Sequence, residues 1–250
     1  MEAVYKRELP VPMSMCDFRQ TLGTADTVAL FMDMAAEVTE LLGIGLSAME
    51  EQKFYWLTVR TRCRFHRRPA ALTPVTAATW ARGMQKAVCN RYYTLSAGDE
   101  LLVEGKTEWL VYDVVTGGVA KTLSDGFYAF PTSAETVCDG ARVRMSREFA
   151  PEEELGRYTV RSTDIDIGRH MNNVAYIRAL LSLFTVAQQE TLDIRELEIG
   201  YHSPAMEGEE LRVYRRETED GLELCVFLPD GRLSATAKLW LGSEAGRQDA

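Results

Sequence analysis

The chain has 250 residues, of which 46% are hydrophobic and 26% are charged, and its formal net charge is -9 at pH 7. These proportions fit a folded protein with one large domain or two smaller ones, and they exclude a disordered chain. The negative charge argues against nonspecific nucleic-acid binding, because attraction to phosphates needs a basic surface.

The sequence shows neither a membrane span nor a secretion signal. No run approaches the roughly 18 apolar residues of a spanning helix, and the N-terminus lacks a basic-then-apolar layout, so we expect a cytoplasmic protein. The cysteines are odd in number and scattered, without zinc-site pairs or the density of a secreted scaffold. We expect buried thiols at Cys16, Cys63, Cys89, Cys138 and Cys225.

The first half predicts one long helix followed by an antiparallel meander. Apolar residues recur at helical spacing over residues 26–42, and Gly43 is a natural C-terminal stop. Alternating, turn-bounded segments then predict strands at residues 56–65, 75–82, 91–95 and 101–112.

The second half repeats this plan. One helix is predicted from Asn172, with a buried face formed by Val174, Ile177, Leu180, Leu181, Phe184 and Ala187. Strands follow at residues 197–201, 210–214, 223–227 and 233–241. The two copies also end alike, because residues 98–110 and residues 230–241 each consist of a turn and a strand that ends in Trp-Leu. The pattern predicts an α+β protein with two tandem modules, each a long helix wrapped by an antiparallel sheet.

Turn signals and an acidic stretch beginning at Pro151 separate the two copies. They predict an N-terminal module at residues 1–130, a linker at residues 131–154 and a C-terminal module at residues 155–245.

Chemistry-bearing residues concentrate at residues 164–173, which read Asp-Ile-Asp-Ile-Gly-Arg-His-Met-Asn-Asn. Aligning the copies without gaps at the expected helix starts sets residues 15–26 against residues 162–173. Arg19, Gly23 and Ala25 then stand opposite Asp166, His170 and Asn172, respectively. A packing or capping role would have kept similar residues in both copies, so this asymmetry predicts one functional site.

These residues suit acyl transfer at a helix N-terminus. Asn172 or Asn173 suits the N-cap, and free backbone N–H groups there can polarise a carbonyl such as that of a thioester. Asp166 and His170 are candidates to orient or deprotonate a water molecule. The competing interpretations are a simple cap and a structural His–Asp pair.

Other catalytic arrangements lack support. The remaining histidines, His66 and His202, show no zinc-ligand spacing, so we expect no metal. The sequence contains no Gly-x-Ser-x-Gly elbow and no phosphate-cradling glycine loop.

A group of arginines forms the one basic exception. Residues 60, 62 and 64 alternate, so a strand would carry all three on one face, and two more follow closely. This face predicts docking of an acidic carrier protein or of a phosphate, with a solvated strand face as the alternative. The arginines are Arg60, Arg62, Arg64, Arg67 and Arg68.

The segment from Asp164 to Tyr176 resembles the Asp-x-Asn-x-His-Val-Asn-Asn-x-x-Tyr signature of the acyl-ACP thioesterase family. Residues 56–60 and 80–83 of the first module support the resemblance. It implies a double hot-dog fold that hydrolyses fatty acyl-ACP to free fatty acid and holo-ACP, with the acyl pocket in the first module and catalysis in the second.

The resemblance further implies acyl carrier protein as the partner and no metal or organic cofactor, because phosphopantetheine arrives with the substrate. Two modules in one chain can imitate the pairing of single hot-dog subunits, so the sequence is compatible with a monomer as well as with a homodimer.

Carried over residue by residue, the signature's aspartate falls on Asp166 and its histidine on His170, but its first asparagine falls on Gly168. The family's acidic residue, three places beyond a tyrosine matched by Tyr201, falls on Pro204, and the neighbouring cysteine of plant members falls on Ala205. On a regular strand His202 would point to the same side as Pro204, so we hypothesise that it replaces the carboxylate. Asp164 and Tyr201 are further supporting candidates.

Three functions follow from these residues. The first is an active hydrolase in which Asp166, His170 and the amides near Asn172 and Asn173 act together. The second is a catalytically impaired acyl-ACP or acyl-CoA binding protein. The third is another hot-dog enzyme, an acyl-CoA thioesterase or a dehydratase, for which fold alone is weak support.

Overall fold

A computed structural model of the chain describes residues 2–121 and 129–242. The chain divides into two compact units, Met1–Gly140 and Ala141–Ala250. The division falls inside the predicted linker of residues 131–154. Residues 122–128 of the predicted first module and residues 243–245 of the second lie outside the described residues.

The first unit is a helix packed on an antiparallel sheet whose strands run in the order β1-β3-β4-β5-β2, with β6 paired to β5. The predicted helix and four strands are confirmed with longer bounds, whereas β1 and α2 were not predicted. The elements are β1 (Val4–Pro10), α1 (Thr24–Leu41), α2 (Leu46–Gln52), β2 (Phe54–Phe65), β3 (Pro74–Gln85), β4 (Val88–Ala97), β5 (Glu100–Asp113) and β6 (Gly118–Val119).

The second unit has the same plan, with strand order β7-β9-β10-β11-β8. Each unit therefore runs strand, long helix, four strands, and places its first strand beside the second strand after the helix. This correspondence confirms the predicted internal repeat. The elements are β7 (Glu154–Thr159), α3 (Asn173–Ser182), α4 (Val186–Thr191), β8 (Ile194–Tyr201), β9 (Glu210–Thr218), β10 (Gly221–Phe227) and β11 (Leu233–Leu241).

The prediction of one continuous helix after Asn172 is wrong, because the chain breaks between α3 and α4. Thr185 caps α4: its hydroxyl accepts from the Gln188 amide at 3.2 Å, and the Gln188 side chain accepts from the Thr185 amide at 2.8 Å. This local capping box starts a new helix. Phe184 is buried as predicted, but Ala187 is exposed.

The predicted linker segment makes hydrogen bonds within each unit. The Trp80 indole donates to the Glu135 carbonyl at 2.8 Å in the first unit. In the second, the Val143 amide donates to Glu198 at 3.1 Å, and Arg216 donates to the Glu148 carbonyl at 2.8 Å. Each half of the segment thus packs on its own unit.

The structure also bears on the expectations about the cysteines and about membrane-spanning helices. Cys63, Cys89, Cys138 and Cys225 are buried free thiols as expected, but Cys16 is partly exposed. Within residues 2–121 and 129–242, no helix has the length and apolar character needed to cross a bilayer.

Close packing of α1 on its sheet requires a glycine. The Phe31 ring stacks on Tyr93 with centroids 4.8 Å apart, and Gly105 pairs with Tyr93 across the strands. A Cβ at Gly105 would lie 2.6 Å from Phe31 Cε2, well inside contact distance. The absence of a side chain therefore lets the helix approach the sheet.

We expect Gly105→Ala to destabilise the protein by about 1–3 kcal/mol, because the added methyl forces the Phe31 ring out of its stack. Denaturant unfolding measures the loss. The control is Gly118→Ala, since a Cβ at Gly118 meets nothing within 4 Å. Equal stability of the two variants would refute this account of the packing.

Candidate functional site

The predicted catalytic segment forms a tight loop that leads into α3. The Asp166 amide donates to the His170 carbonyl at 3.0 Å, and the Arg169 amide donates to the Asp166 carbonyl at 3.0 Å. Arg169 adopts a left-handed conformation with φ of 60°, and Ile165 and Met171 form a bridge below the turn. The backbone therefore fixes the loop by its own hydrogen bonds.

Asp164 secures the beginning of this loop. Its carboxylate accepts hydrogen bonds from the Tyr158 hydroxyl at 2.9 Å and from the Arg161 amide at 2.8 Å. Its carbonyl accepts from the Asn172 amide at 2.8 Å. The predicted supporting residue Asp164 thus holds the loop to the helix start.

Asp166 and His170 flank Gly168. The Asp166 carboxylate accepts from the Gly168 amide at 2.8 Å. The position of a Cβ on Gly168 would lie 3.1 Å from Asp166 Oδ1 and 3.6 Å from His170 Nδ1. Asp166 is half-buried and His170 is exposed, and no hydrogen bond between their side chains is found in the described part of the chain.

The start of α3 presents free amides beside this pair. Asn172 is the N-cap, as one of the two predicted candidates, and its side chain accepts from the Val174 amide at 2.8 Å. The first amides of a helix have no acceptor inside the helix. Among the described residues, those of Asn173 and Ala175 have no other acceptor either. They are therefore the donors available to a carbonyl.

Two tyrosines fasten the same helix start to the sheet. The Tyr201 hydroxyl donates to the Asn173 carbonyl at 3.0 Å. The Tyr176 hydroxyl accepts from the Ala205 amide at 3.1 Å and lies 2.7 Å from Ser234 Oγ. Burial raises the pKa of Tyr176, so its hydroxyl stays neutral within this network.

The first unit contains an equivalent loop, which overturns the gapless alignment. Its bridge joins Cys16 to Leu22, its left-handed residue is Gln20, and its N-cap is Gly23. This geometry matches Asp17 with Asp166, Thr21 with His170, and Gly23 with Asn172. The alignment was two residues out of register because α1 begins at Thr24 rather than at Asp26.

The corrected register changes the argument for Asp166. Asp17 accepts from the Arg19 amide at 2.9 Å, as Asp166 accepts from Gly168. The expectation that the aspartate is peculiar to the second unit is therefore wrong, and its turn-closing bond belongs to both copies. The differences that remain are His170 in place of Thr21 and the capping Asn172 in place of Gly23.

The premise about His202 is also wrong. Strand β8 ends at Tyr201, and the next two amides both bond to β11, from His202 to Ser234 at 2.9 Å and from Ser203 to Leu233 at 3.2 Å. Amides of consecutive residues do not both face one neighbour in a regular ladder, so the alternation that paired His202 with Pro204 ends here. The exposed His202 ring lies 3.3 Å from Thr236 Oγ1.

The first unit places His66 at the equivalent position. Its amide bonds to the Leu102 carbonyl as that of His202 bonds to Ser234, and its ring lies 3.4 Å from the Glu104 carboxylate. A histidine at this bend is thus common to both copies.

The predicted docking arginines divide into two groups. Arg60, Arg62 and Arg64 share one face of β2, but Arg60 lies 3.9 Å from Glu108 and Arg64 lies 3.3 Å from Glu104. The others turn elsewhere: Arg67 pairs with Glu100, and Arg68 donates to the Leu22 carbonyl and to Thr24. Because carboxylates line the β2 face, it is not an unopposed basic patch, and carrier docking there stays a prediction.

We expect Asn172→Ala to reduce the free energy of unfolding by about 1 kcal/mol, because the Val174 amide loses its acceptor. Asn172→Asp keeps an acceptor at the cap and serves as the control. Chemical denaturation measures both. Loss of stability in Asn172→Asp as large as in Asn172→Ala would contradict a capping role.

Comparison with solved structures identifies the fold. An acyl-ACP thioesterase from Bacteroides thetaiotaomicron VPI-5482 matches with a TM-score of 0.81 and 18% identity over 96% of this chain and 98% of that chain. The 12:0-ACP thioesterase from Umbellularia californica matches with a TM-score of 0.83 and 14% identity over 97% and 98%. These likenesses confirm the predicted tandem hot-dog fold. A search of curated proteins gives no match.

A protein with these two units and this helix-start motif is, in class, a double hot-dog thioesterase. The profile of the acyl-ACP thioesterase N-terminal domain matches residues 2–127, and that of the C-terminal domain matches residues 148–231. The chain belongs to the acyl-ACP thioesterase family. The predicted family and its activity, hydrolysis of fatty acyl-ACP to free fatty acid and holo-ACP, are thereby confirmed.

Proposed function

We propose that this chain cleaves the acyl-ACP thioester at the start of α3. The supporting observation is that the free amides of Asn173 and Ala175 adjoin the loop that carries Asp166 and His170. Backbone donors at a helix N-terminus stabilise negative charge on a carbonyl oxygen, because the helix dipole and the N–H groups act together.

In the proposed reaction, Asp166 orients a water molecule and accepts its proton, and His170 supports this transfer. The water oxygen attacks the carbonyl carbon, and charge on the carbonyl oxygen is held by the helix amides. The carbon–sulfur bond then breaks, and the sulfur of phosphopantetheine takes up the proton. One water is consumed, and the products are free fatty acid and holo-ACP.

The proposal assigns acyl binding to the first unit and catalysis to the second, as the family resemblance implies. Tyr201 and Asp164 act as positioning residues, since each bonds to the backbone around the helix start. No metal or organic cofactor takes part in the scheme. Acyl carrier protein delivers the substrate.

A second candidate function is binding without turnover. Gly168 offers no side chain where the family signature has an asparagine, and Pro204 offers no carboxylate. The bond from Gly168 to Asp166 also has a purely structural counterpart at Asp17. These observations are the reason for keeping an impaired relative that binds acyl-ACP or acyl-CoA as the alternative.

We expect Asp166→Asn to lower kcat by at least about 100-fold, because the amide keeps the turn bond but cannot accept the proton of water. Asp17→Asn is the matched control, since it alters the equivalent turn of the first unit. Hydrolysis is measured over acyl-ACPs and acyl-CoAs of graded length. Equal effects in the two variants would mean that the carboxylate only closes a loop.

The same assay tests His170 against its counterpart. We expect His170→Gln to lower kcat by at least about tenfold through loss of the imidazole beside the water, whereas Thr21→Val leaves kcat unchanged. Binding without hydrolysis by the unaltered chain across the panel would replace the hydrolase proposal with the second candidate.

Restoring the missing amide gives an independent test. Gly168→Asn introduces a side chain whose Cβ lies close to both Asp166 Oδ1 and His170 Nδ1. We expect kcat to rise by about tenfold, because a third polar group then orients the water. Gly168→Ala, which adds the Cβ without the amide, is the control. A rise in both variants, or in neither, would count against a missing catalytic asparagine.

A further inference from the structure

The interior face of the first unit carries a band of polar side chains where a core is expected. Strands β2, β4 and β5 place Thr61, Arg91 and Thr107 directly opposite one another. Tyr93 follows on the same face of β4, beneath Phe31 of α1. All four residues are at most 5% exposed.

Most of these polar groups lack partners outside the band. Among the described residues, the Thr61 hydroxyl is buried without a hydrogen bond, and the hydroxyls of Tyr93 and Thr107 and the indole nitrogen of Trp109 have only one another within reach. Buried polar groups are nearly always satisfied in native proteins, because an unsatisfied group loses its hydration for nothing in return. Several in one place therefore indicate an absent polar partner.

The guanidinium of Arg91 is the strongest member of the band. It is 5% exposed, and its hydrogen bond in the described structure is one at 3.4 Å to Thr79 Oγ1. Lys238, the buried cation of the second unit, instead contacts the Asp220 carboxylate at 2.6 Å. Because buried charges are normally paired, Arg91 requires an anion that the described residues do not supply.

The band converges on one place. Burial raises the pKa of Tyr93 to about 12, and the Arg91 charge and hydrogen bonding with the Thr107 and Trp109 side chains act against that rise. The Thr107 hydroxyl and the Trp109 indole nitrogen thus lie beside the Tyr93 hydroxyl.

The fold does not require this polarity, as the second unit shows. The His66 amide bonds to Leu102 and the His202 amide bonds to Ser234, so Leu102 corresponds to Ser234. The strand pairings extend this residue-by-residue correspondence along both sheets. Thr61, Arg91, Tyr93 and Thr107 then correspond to four buried leucines. These are Leu197, Leu222, Leu224 and Leu239, respectively.

We propose that this polar band binds an oxygen function on the substrate's acyl chain, with a carboxylate as the preferred group. The inference rests on the proposed function, because it assigns the acyl chain to the first unit. A carboxylate accepts paired hydrogen bonds from a guanidinium and further bonds from the Tyr93 and threonine hydroxyls. An unsubstituted hydrocarbon chain would offer none of these donors an acceptor.

The test measures binding apart from hydrolysis. Alkyl-pantetheine thioethers of graded length, which cannot be hydrolysed, carry a terminal methyl, hydroxyl or carboxylate group and are titrated by calorimetry. We expect the carboxylate to bind at least about tenfold more tightly than the methyl at the best length, with the hydroxyl between them. Equal or tighter binding of the methyl compound at every length overturns the proposal and would mean that water molecules satisfy the polar band.

Variants locate the preference. We expect Arg91→Leu, which installs the residue of the second unit, to abolish the preference for carboxylate and to raise Tm, since an unpaired buried charge is removed. Tyr93→Phe should weaken the preference for carboxylate while keeping the packing, and Arg91→Lys should retain part of that preference. Arg82→Leu, on an exposed part of β3, should keep it in full. Retention of the full preference in both Arg91→Leu and Tyr93→Phe overturns the assignment.

Failure of this proposal is distinguishable from failure of the proposed function. If the chain hydrolyses unsubstituted acyl-ACP but binds the carboxylate and methyl thioethers equally, the hydrolase proposal stands and the polar subsite is rejected. If the chain prefers the carboxylate thioether but hydrolyses no acyl-ACP, the subsite stands and the hydrolase proposal is rejected.

Discussion

The position of each long helix depends on how the loop before it is closed. An aspartate carboxylate accepts a hydrogen bond from the amide two residues ahead, and a left-handed residue turns the chain. Two residues further on, a backbone amide bonds to the segment that follows a strand. Leu22 donates to Pro69 in one unit and Met171 donates to Ala205 in the other. Because these bonds are backbone or capping bonds, the helix start is fixed whether or not chemistry occurs there.

This shared frame separates structure from function at the candidate site. Asp166 satisfies a structural need that Asp17 also satisfies, so catalysis by Asp166 would be a second use of a residue that the loop already requires. The His170 side chain is exposed and forms no hydrogen bond that stabilises the described loop, and Asn172 supplies a cap where the first unit has glycine. A residue that the fold does not need is the stronger indication of function.

The repeat also supplies an internal reference for the interior. Where the second unit has four buried leucines, the first unit holds Arg91, Tyr93 and two threonines at corresponding places in the ladders. Both arrangements fit the same topology, so packing alone does not explain the polar one. The two copies have kept one fold while their interiors have diverged in polarity, as expected if they handle different parts of a ligand.

The sequence by itself determined the α+β class, the repeat, the long helices and the motif at residues 164–173, because hydrophobic period and turn residues are local signals. It did not determine the break at Thr185, the irregular backbone at His202 and Ser203 or the register between the copies, because a cap, a bend and a helix start depend on bonds to neighbouring segments. Only the tertiary structure matched Asp17 with Asp166. It alone brought Arg91, Thr107 and Thr61 side by side, since residues far apart in sequence meet through strand pairing.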